Sequence, residues 1–242
     1  ALWVGLPAPS AWPFIAASLV IHIGYYIALA GAYQHGELGM TYPIMRGFAP
    51  MLVALGSAAA IGEAPSASAW LGIAAITAGV ALVGLAHPGE ALHHRKALAF
   101  AFANAAIIAL YTLVDGQGAR AQARESDGAV WRYVLGLMAL DGIAYPQLVW
   151  WRRDRAGRAA ILAYARKRWP LAALGGSASI VSYAIALWAM TRAPVASVAA
   201  LRETSVLFAA VIGTVVLKEA FGVQRALGTA IIVGGVIALR FG

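Results

Sequence analysis

The sequence predicts an all-α polytopic membrane protein, an inverted-repeat 5+5 transmembrane helix bundle of which eight helices are present in this chain. Three observations carry that prediction: the composition, the lengths of the apolar runs, and an internal repeat. Of the 242 residues, 62% are hydrophobic and only 12% charged, with a mean hydropathy of +0.76. Soluble domains average about 45–50% apolar and about 25% charged residues. The departure excludes a soluble enzyme, a secreted disulfide scaffold and a disordered chain. The absence of cysteine excludes disulfides, thiol catalysis and cysteine-ligated metals. A net charge of +8 would suit a nucleic-acid ligand if the basic residues formed a patch. Seven of the 18 instead sit in one connection between apolar runs, as a membrane-orienting signal does, so no nucleic-acid partner is expected.

Eight apolar runs follow in order: Trp12–Tyr33, Met40–Ile61, Ala67–Ala86, Ala97–Gly118, Ala129–Trp151, Pro170–Met190, Val195–Leu217 and Gln224–Arg240. Each has about the 17–25 residues that a helix needs to cross roughly 30 Å of hydrocarbon. None alternates in polarity as a barrel strand would. The second run ends at Gly62-Glu63-Ala64-Pro65-Ser66, a turn in which Ser66 is placed to cap the third. His87–Lys96 and Ala119–Gly128 are polar connections. Arg152–Trp169 is long and basic, with Ala159, Ile161, Leu162 and Tyr164 at its centre. It is expected to be a solvated orienting loop, a short amphipathic helix on the membrane surface being the alternative.

Self-comparison shows the repeat. Trp12-Pro13 matches Trp169-Pro170, and Tyr26 falls on Tyr183 at the same offset. After a one-residue slip, Arg46 falls on Arg202, Glu63 on Glu219, Leu71-Gly72 on Leu227-Gly228 and Gly79-Val80 on Gly235-Val236. Equivalent runs stand five places apart in order, with four between them, so equivalents cross in opposite directions, the architecture of many secondary transporters. Two helices precede Trp169 in the second unit, whereas only eleven residues precede Trp12. The expectation is that residues 1–90 are the last three helices of a first repeat, with about two helices missing before them, and that residues 91–242 are a complete second repeat.

The stretch Tyr42-Pro43-Ile44-Met45-Arg46-Gly47-Phe48-Ala49-Pro50, then Gly62-Glu63, Gly72 and Gly79-Val80, resembles the EamA family of the drug/metabolite transporter superfamily. So does Ala193-Pro194-Val195 through Leu201-Arg202-Glu203-Thr204-Ser205, with Lys218-Glu219 and the glycine-bearing last helix. The resemblance covers nearly the whole chain, and the doubled order is its most specific feature. It implies a ten-helix carrier of small organic metabolites, often moving them outward, without covalent chemistry.

A charge at mid-membrane costs at least about 2.5–3.5 kcal/mol on insertion scales, so each is a functional candidate. Arg46 and Arg202 lie six or seven residues into their runs, roughly 10 Å deep at 1.5 Å per residue. The inverted repeat brings one in from each side, arranged for bidentate contact with a carboxylate or phosphate. Tyr42 lies one turn before Arg46 and Ser205 about one turn after Arg202, each expected to share a helical face with its arginine. The competing reading is that an acidic residue, Glu203, Asp141 or Asp115, neutralises each arginine. Glu203 and Asp141 are proton-coupling candidates. Asp115, beside Gly116 and Gly118, is expected to serve a turn or cap. His22 is a further proton-coupling candidate, weighed against a hydrogen-bonded core role. Tyr25, Tyr26, Tyr111, Tyr183, Trp188 and Phe208 offer apolar walls for a small-molecule site, weighed against ordinary packing. Among them Tyr26, Tyr183 and Trp188 join the arginines, Tyr42 and Ser205 as candidate substrate contacts. Ala75-xxx-Gly79 and Ala230-xxx-Gly234 fit the small-xxx-small packing pattern, and a homodimer contact is possible there. Glu63 and Glu219 each precede a helix start, where a carboxylate suits the dipole.

No phosphate-binding loop, HExxH helix or Ser-His-Asp arrangement is present, so neither an enzyme nor an ATPase is expected, and no cofactor or metal. His87, His93 and His94 share one loop without supporting ligands. The expected function is a secondary transporter, working by alternating access in a bacterial cytoplasmic membrane and moving a carboxylate-bearing solute such as an amino acid, outward. Its partners are that solute and membrane lipid. The alternatives are an exporter of lipophilic cations or drugs, recognised by Asp141 or Glu203, and a non-transporting scaffold.

Arg95, Lys96, the seven basic residues between Arg152 and Arg168, Lys218 and Arg225 fall on one side. Arg120, Arg124, Arg132, Arg192 and Arg240 fall on the other. The positive-inside rule places the first set in the cytoplasm and both termini outside. A C-terminal alkaline phosphatase fusion to the full-length protein is therefore expected to be active; an inactive phosphatase with a fluorescent C-terminal GFP fusion would reverse the orientation.

Overall fold

A computed structural model describes residues 5–36, 38–84, 95–125, 129–208 and 222–240. Among the described residues the chain is helical throughout, with no strand. Its α-helices are α1 (Trp12–His35), α2 (Leu38–Gly56), α3 (Ala67–Gly84), α4 (Arg95–Glu125), α5 (Val130–Trp151), α6 (Arg155–Met190), α7 (Val195–Arg202) and α8 (Val223–Arg240). Five helical segments, Pro9–His35, Thr41–Ile61, Arg95–Glu125, Arg155–Met190 and Val223–Arg240, are long and apolar enough to cross a membrane. The protein is an all-α polytopic membrane protein.

Local chemistry sets most of the boundaries. A π-helical turn, Ser57–Ile61, ends the second run, and Gly62 caps it in the left-handed region at φ 73°, a conformation open to glycine at little cost. The Ser66 hydroxyl accepts from the Ala69 amide at 3.1 Å, which caps α3 as its sequence position predicts.

Three boundaries differ from expectation. The basic segment 152–169 is neither a loop nor a separate surface helix. After a short turn it joins α6, a single helix of 36 residues. Asp154 starts that helix by accepting from the Gly157 amide at 2.9 Å. Pro170, expected to open a helix, lies inside α6, where it removes one backbone donor without ending the helix. At 1.5 Å per residue α6 is about 54 Å long, far beyond the roughly 30 Å of a hydrocarbon core. Likewise α4 continues through Gly116 and Gly118 to Glu125, where a connection from Ala119 was expected. Finally, α7 stops after eight residues at Arg202. Residues 203–204 form a turn and residues 205–208 are helical again, so the expected continuous run from Val195 is interrupted.

The chain forms two units. The first comprises Ala1–Ile23 and Val114–Arg192, the second Gly24–Leu113 and Ala193–Gly242. The first therefore contains the start of α1, the end of α4, α5 and α6. Its α5–α6 turn is closed by Arg158, whose guanidinium lies 5.4 Å over the Trp150 ring while its Nε donates to the Trp150 carbonyl at 2.9 Å.

In the second unit α3 and α8 pack backbone to backbone. A Cβ at Gly72 would lie 2.7 Å from the Gly235 carbonyl oxygen, and one at Gly235 would lie 2.7 Å from the Gly72 oxygen. Gly79 and Gly228 face each other in the same reciprocal way, at 2.7 and 2.8 Å. Ile76 and Ile232, both fully buried, fill the space between the two glycine pairs. Such contact lets helix backbones approach without a strong hydrophobic driving force. Ala230 and Gly234 are exposed, and a Cβ at Gly234 would meet nothing within 4 Å. The small-residue pattern at that pair is therefore no part of the seam, which uses residues seven apart.

Gly79→Ala is expected to cost about 1–3 kcal/mol, as overpacking does, and to lower the thermal midpoint of the purified protein in detergent. Gly234→Ala should leave that midpoint at or slightly above the wild-type value. Equal effects from both substitutions would refute the seam.

Candidate functional site

Two polar clusters stand out, one within each unit. In the second unit α2 carries Arg46 between Pro43 and Pro50. Pro50 lacks the N–H that would bond the Arg46 carbonyl, which loosens the helix at the arginine. Glu203 lies just past the end of α7. The turn there is closed by i−3 bonds, Glu203 N to Ala200 O at 3.0 Å and Thr204 N to Leu201 O at 3.1 Å. The Thr204 hydroxyl donates to the Leu201 carbonyl at 2.7 Å. At the other end of α7, the Val195 amide donates to Glu63 Oε2 at 3.0 Å. Glu63 thus meets a helix N-terminus as expected, but that of α7 rather than α3.

Arg46 Nε lies 3.1 Å from Glu203 Oε2, and the Glu203 side chain is 5% exposed. The contact is ionic: neither atom finds a partner at hydrogen-bonding geometry among the described residues. Glu203, adjacent to Arg202 in sequence, thus pairs with the other arginine. Tyr25, Tyr33, Tyr42 and Tyr111 lie near enough to Arg46 to interact with it electrostatically. Tyr25 meets Tyr26 edge-on at 5.2 Å between centroids and Tyr111 edge-on at 5.8 Å. The result is an ion pair beside an aromatic row, its carboxylate buried and its guanidinium 19% exposed. Arg202, partly buried, is the last residue of α7, where a cation suits the helix C-terminus. Ser205 is exposed beyond the turn, so the helical face it was expected to share with Arg202 is interrupted.

In the first unit Asp115 is fully buried inside α4. Its position is a correction to the expected turn or cap. The glycines beside it do not end the helix: a Cβ at Gly118 would fall on the Tyr133 ring, so Gly118 is the slot that admits that ring. The Tyr133 hydroxyl donates to Asp115 Oδ1 at 2.8 Å, and the Tyr183 hydroxyl donates to Oδ2. Ser18 supplies a third hydroxyl. His22 is buried, its Nδ1 2.9 Å from the Ser18 carbonyl and 3.1 Å from the Ser18 hydroxyl. That is the hydrogen-bonded histidine foreseen as one of its two readings. Asp141 is buried on α5. Trp188 is 43% exposed near the end of α6, under the Arg192 guanidinium at 5.3 Å. Glu219 and the three histidines at 87, 93 and 94 lie outside the described residues.

Residues 95–241, more than half of the chain, match the EamA-like transporter family. A solved structure, described only as a crystal structure of a protein, is similar with a TM-score of 0.69 and 20% identity, over 95% of this chain and 76% of that one. At that identity the likeness is one of fold. None of the curated proteins matches the chain.

Arg46→Met strands the Glu203 carboxylate. Breaking a buried pair costs about 3 kcal/mol or more, so the thermal midpoint in detergent should fall clearly. The double substitution Arg46→Met with Glu203→Leu should recover most of the loss, and a double variant no better than the single one would show that the pair is not coupled.

Proposed function

Because the chain belongs to the EamA-like transporter family, we propose that it is a secondary carrier that moves a small amphipathic solute bearing a carboxylate, such as an amino acid, outward across a bacterial cytoplasmic membrane by alternating access. The observation that carries this reading is the Arg46–Glu203 pair beside the tyrosines. A zwitterion complements both members: its carboxylate takes the guanidinium and its ammonium takes the Glu203 carboxylate. Arg46 Nε and Glu203 Oε2 lack a partner at hydrogen-bonding geometry among the described residues, which favours that exchange, since the ligand supplies hydrogen bonds to both atoms. Tyr42 and Tyr26 add aromatic walls to this site.

Two further features support a carrier. Interrupted helices at membrane depth surround the sites of many transporters, and α7 breaks beside Glu203. The α3–α8 seam agrees with inverted repeats covering residues 1–90 and 91–242. Exchanging each glycine for its repeat equivalent, Gly72 for Gly228 and Gly235 for Gly79, turns one close contact into the other, as a two-fold axis between the helices requires. Arg202, the repeat equivalent of Arg46, is the second candidate anchor.

The test is counterflow in proteoliposomes of the full-length protein preloaded with amino acids and organic acids. Arg46→Gln should reduce it at least tenfold, since charge-assisted hydrogen bonds contribute about 1.5–3 kcal/mol, with the protein still monodisperse. Carboxylate counterflow unaffected by Arg46→Gln would overturn the reading. Counterflow of a lipophilic cation blocked by Glu203→Gln alone would put a cation exporter in its place.

A further inference from the structure

Asp115 differs from Glu203 in what neutralises it. Glu203 meets a guanidinium, which only donates and keeps its charge. Asp115 meets hydroxyls: Ser18 from α1, Tyr133 from α5 and Tyr183 from α6. No Lys or Arg among the described residues forms an ion pair with it, and the charged or titratable groups that face it are His22, Tyr133 and Tyr183. A hydroxyl donates to a carboxylate and equally accepts from a carboxylic acid. The cradle therefore accommodates either charge state, which an arginine partner would not. A buried ionisable residue in a membrane-spanning segment commonly marks an ion or proton path.

We propose that Asp115 is a proton-binding site, and that proton uptake there is coupled to transport. The coupling rests on the carrier reading above; the binding does not. The proton adds to a carboxylate oxygen, and one O–H bond is gained at Asp115. The new acid must donate, so a tyrosine that donated to that oxygen turns to accept from it. Each of the four helices that meet at the carboxylate then changes its share of the hydrogen bonds. Proton binding thereby alters the tie between α4 and its neighbours, which is what coupling to a conformational change needs.

Infrared difference spectra of the full-length protein in liposomes, taken across a pH titration, test the site directly. The carbonyl band of a buried carboxylic acid should appear and should vanish in Asp115→Asn. Tyr183→Phe, which keeps the ring, should change the apparent proton affinity about tenfold, the effect of one hydrogen bond to a charged group, and gives a readout if the asparagine variant folds poorly. In flux assays Asp115→Asn should reduce transport driven by a pH gradient at least tenfold more than counterflow at equal pH. A carboxylic band that persists in Asp115→Asn, or a midpoint indifferent to Tyr183→Phe, would overturn the site. Gradient-driven flux surviving Asp115→Asn would overturn the coupling. Absence of any wild-type transport, with the band still lost in Asp115→Asn, would remove the carrier reading and support the proton site.

Discussion

Inside hydrocarbon a polar side chain has no water to turn to, and a buried charge is costly unless another group answers it. That requirement organises both units. The Arg46 guanidinium is answered by a carboxylate on another helix, Asp115 by hydroxyls gathered from three others, and the start of α7 by Glu63. Each solution joins segments far apart in sequence. The polar residues thus specify which helices meet, while the apolar majority, equally content with lipid, leaves that choice open.

Close contact depends on the glycines. In water a glycine within a helix weakens it by about 1 kcal/mol relative to alanine. Here the missing Cβ makes room for a neighbour: the Tyr133 ring at Gly118 and the facing backbone at Gly72, Gly79, Gly228 and Gly235. The polar and the small residues act together at Asp115. Without the slot at Gly118 the Tyr133 ring could not lie where its hydroxyl meets the carboxylate.

Much of this was legible in the sequence, because a helix that spans lipid must be long, apolar and bounded. Most spans, the Ser66 cap and the candidacy of Glu203 as partner to an arginine within a span follow from hydropathy, turn chemistry and charge. What was not legible has a common cause. Gly116, Gly118 and Pro170 are helix breakers by local propensity, yet helix continuation is decided by packing and by the absence of water. So α4 ran further than expected, and Asp115 moved from a supposed turn to the centre of a cluster. The same bias worked in reverse at α7. Arg202-Glu203-Thr204 contains neither Gly nor Pro, so nothing in the local sequence announced the interruption. Tyr133 was missed because an isolated tyrosine in an apolar run carries no signal of its partner.

The length of α6 has a mechanical meaning. Even tilted by 40°, the upper end of the usual range, a helix needs only about 40 Å to cross the hydrocarbon. Of the roughly 54 Å available, about 15 Å or more must project into the aqueous phase. The projecting part of a continuous helix is a lever. Rotation of the buried part by 10° about the membrane surface would sweep a tip 15 Å away through roughly 3 Å. The Tyr183 end of α6 is tied to Asp115, and the opposite end carries Arg155 and Arg158. A change in hydrogen bonding at Asp115, as proposed above, would thereby be converted into a displacement of positive charge at the far end of the helix.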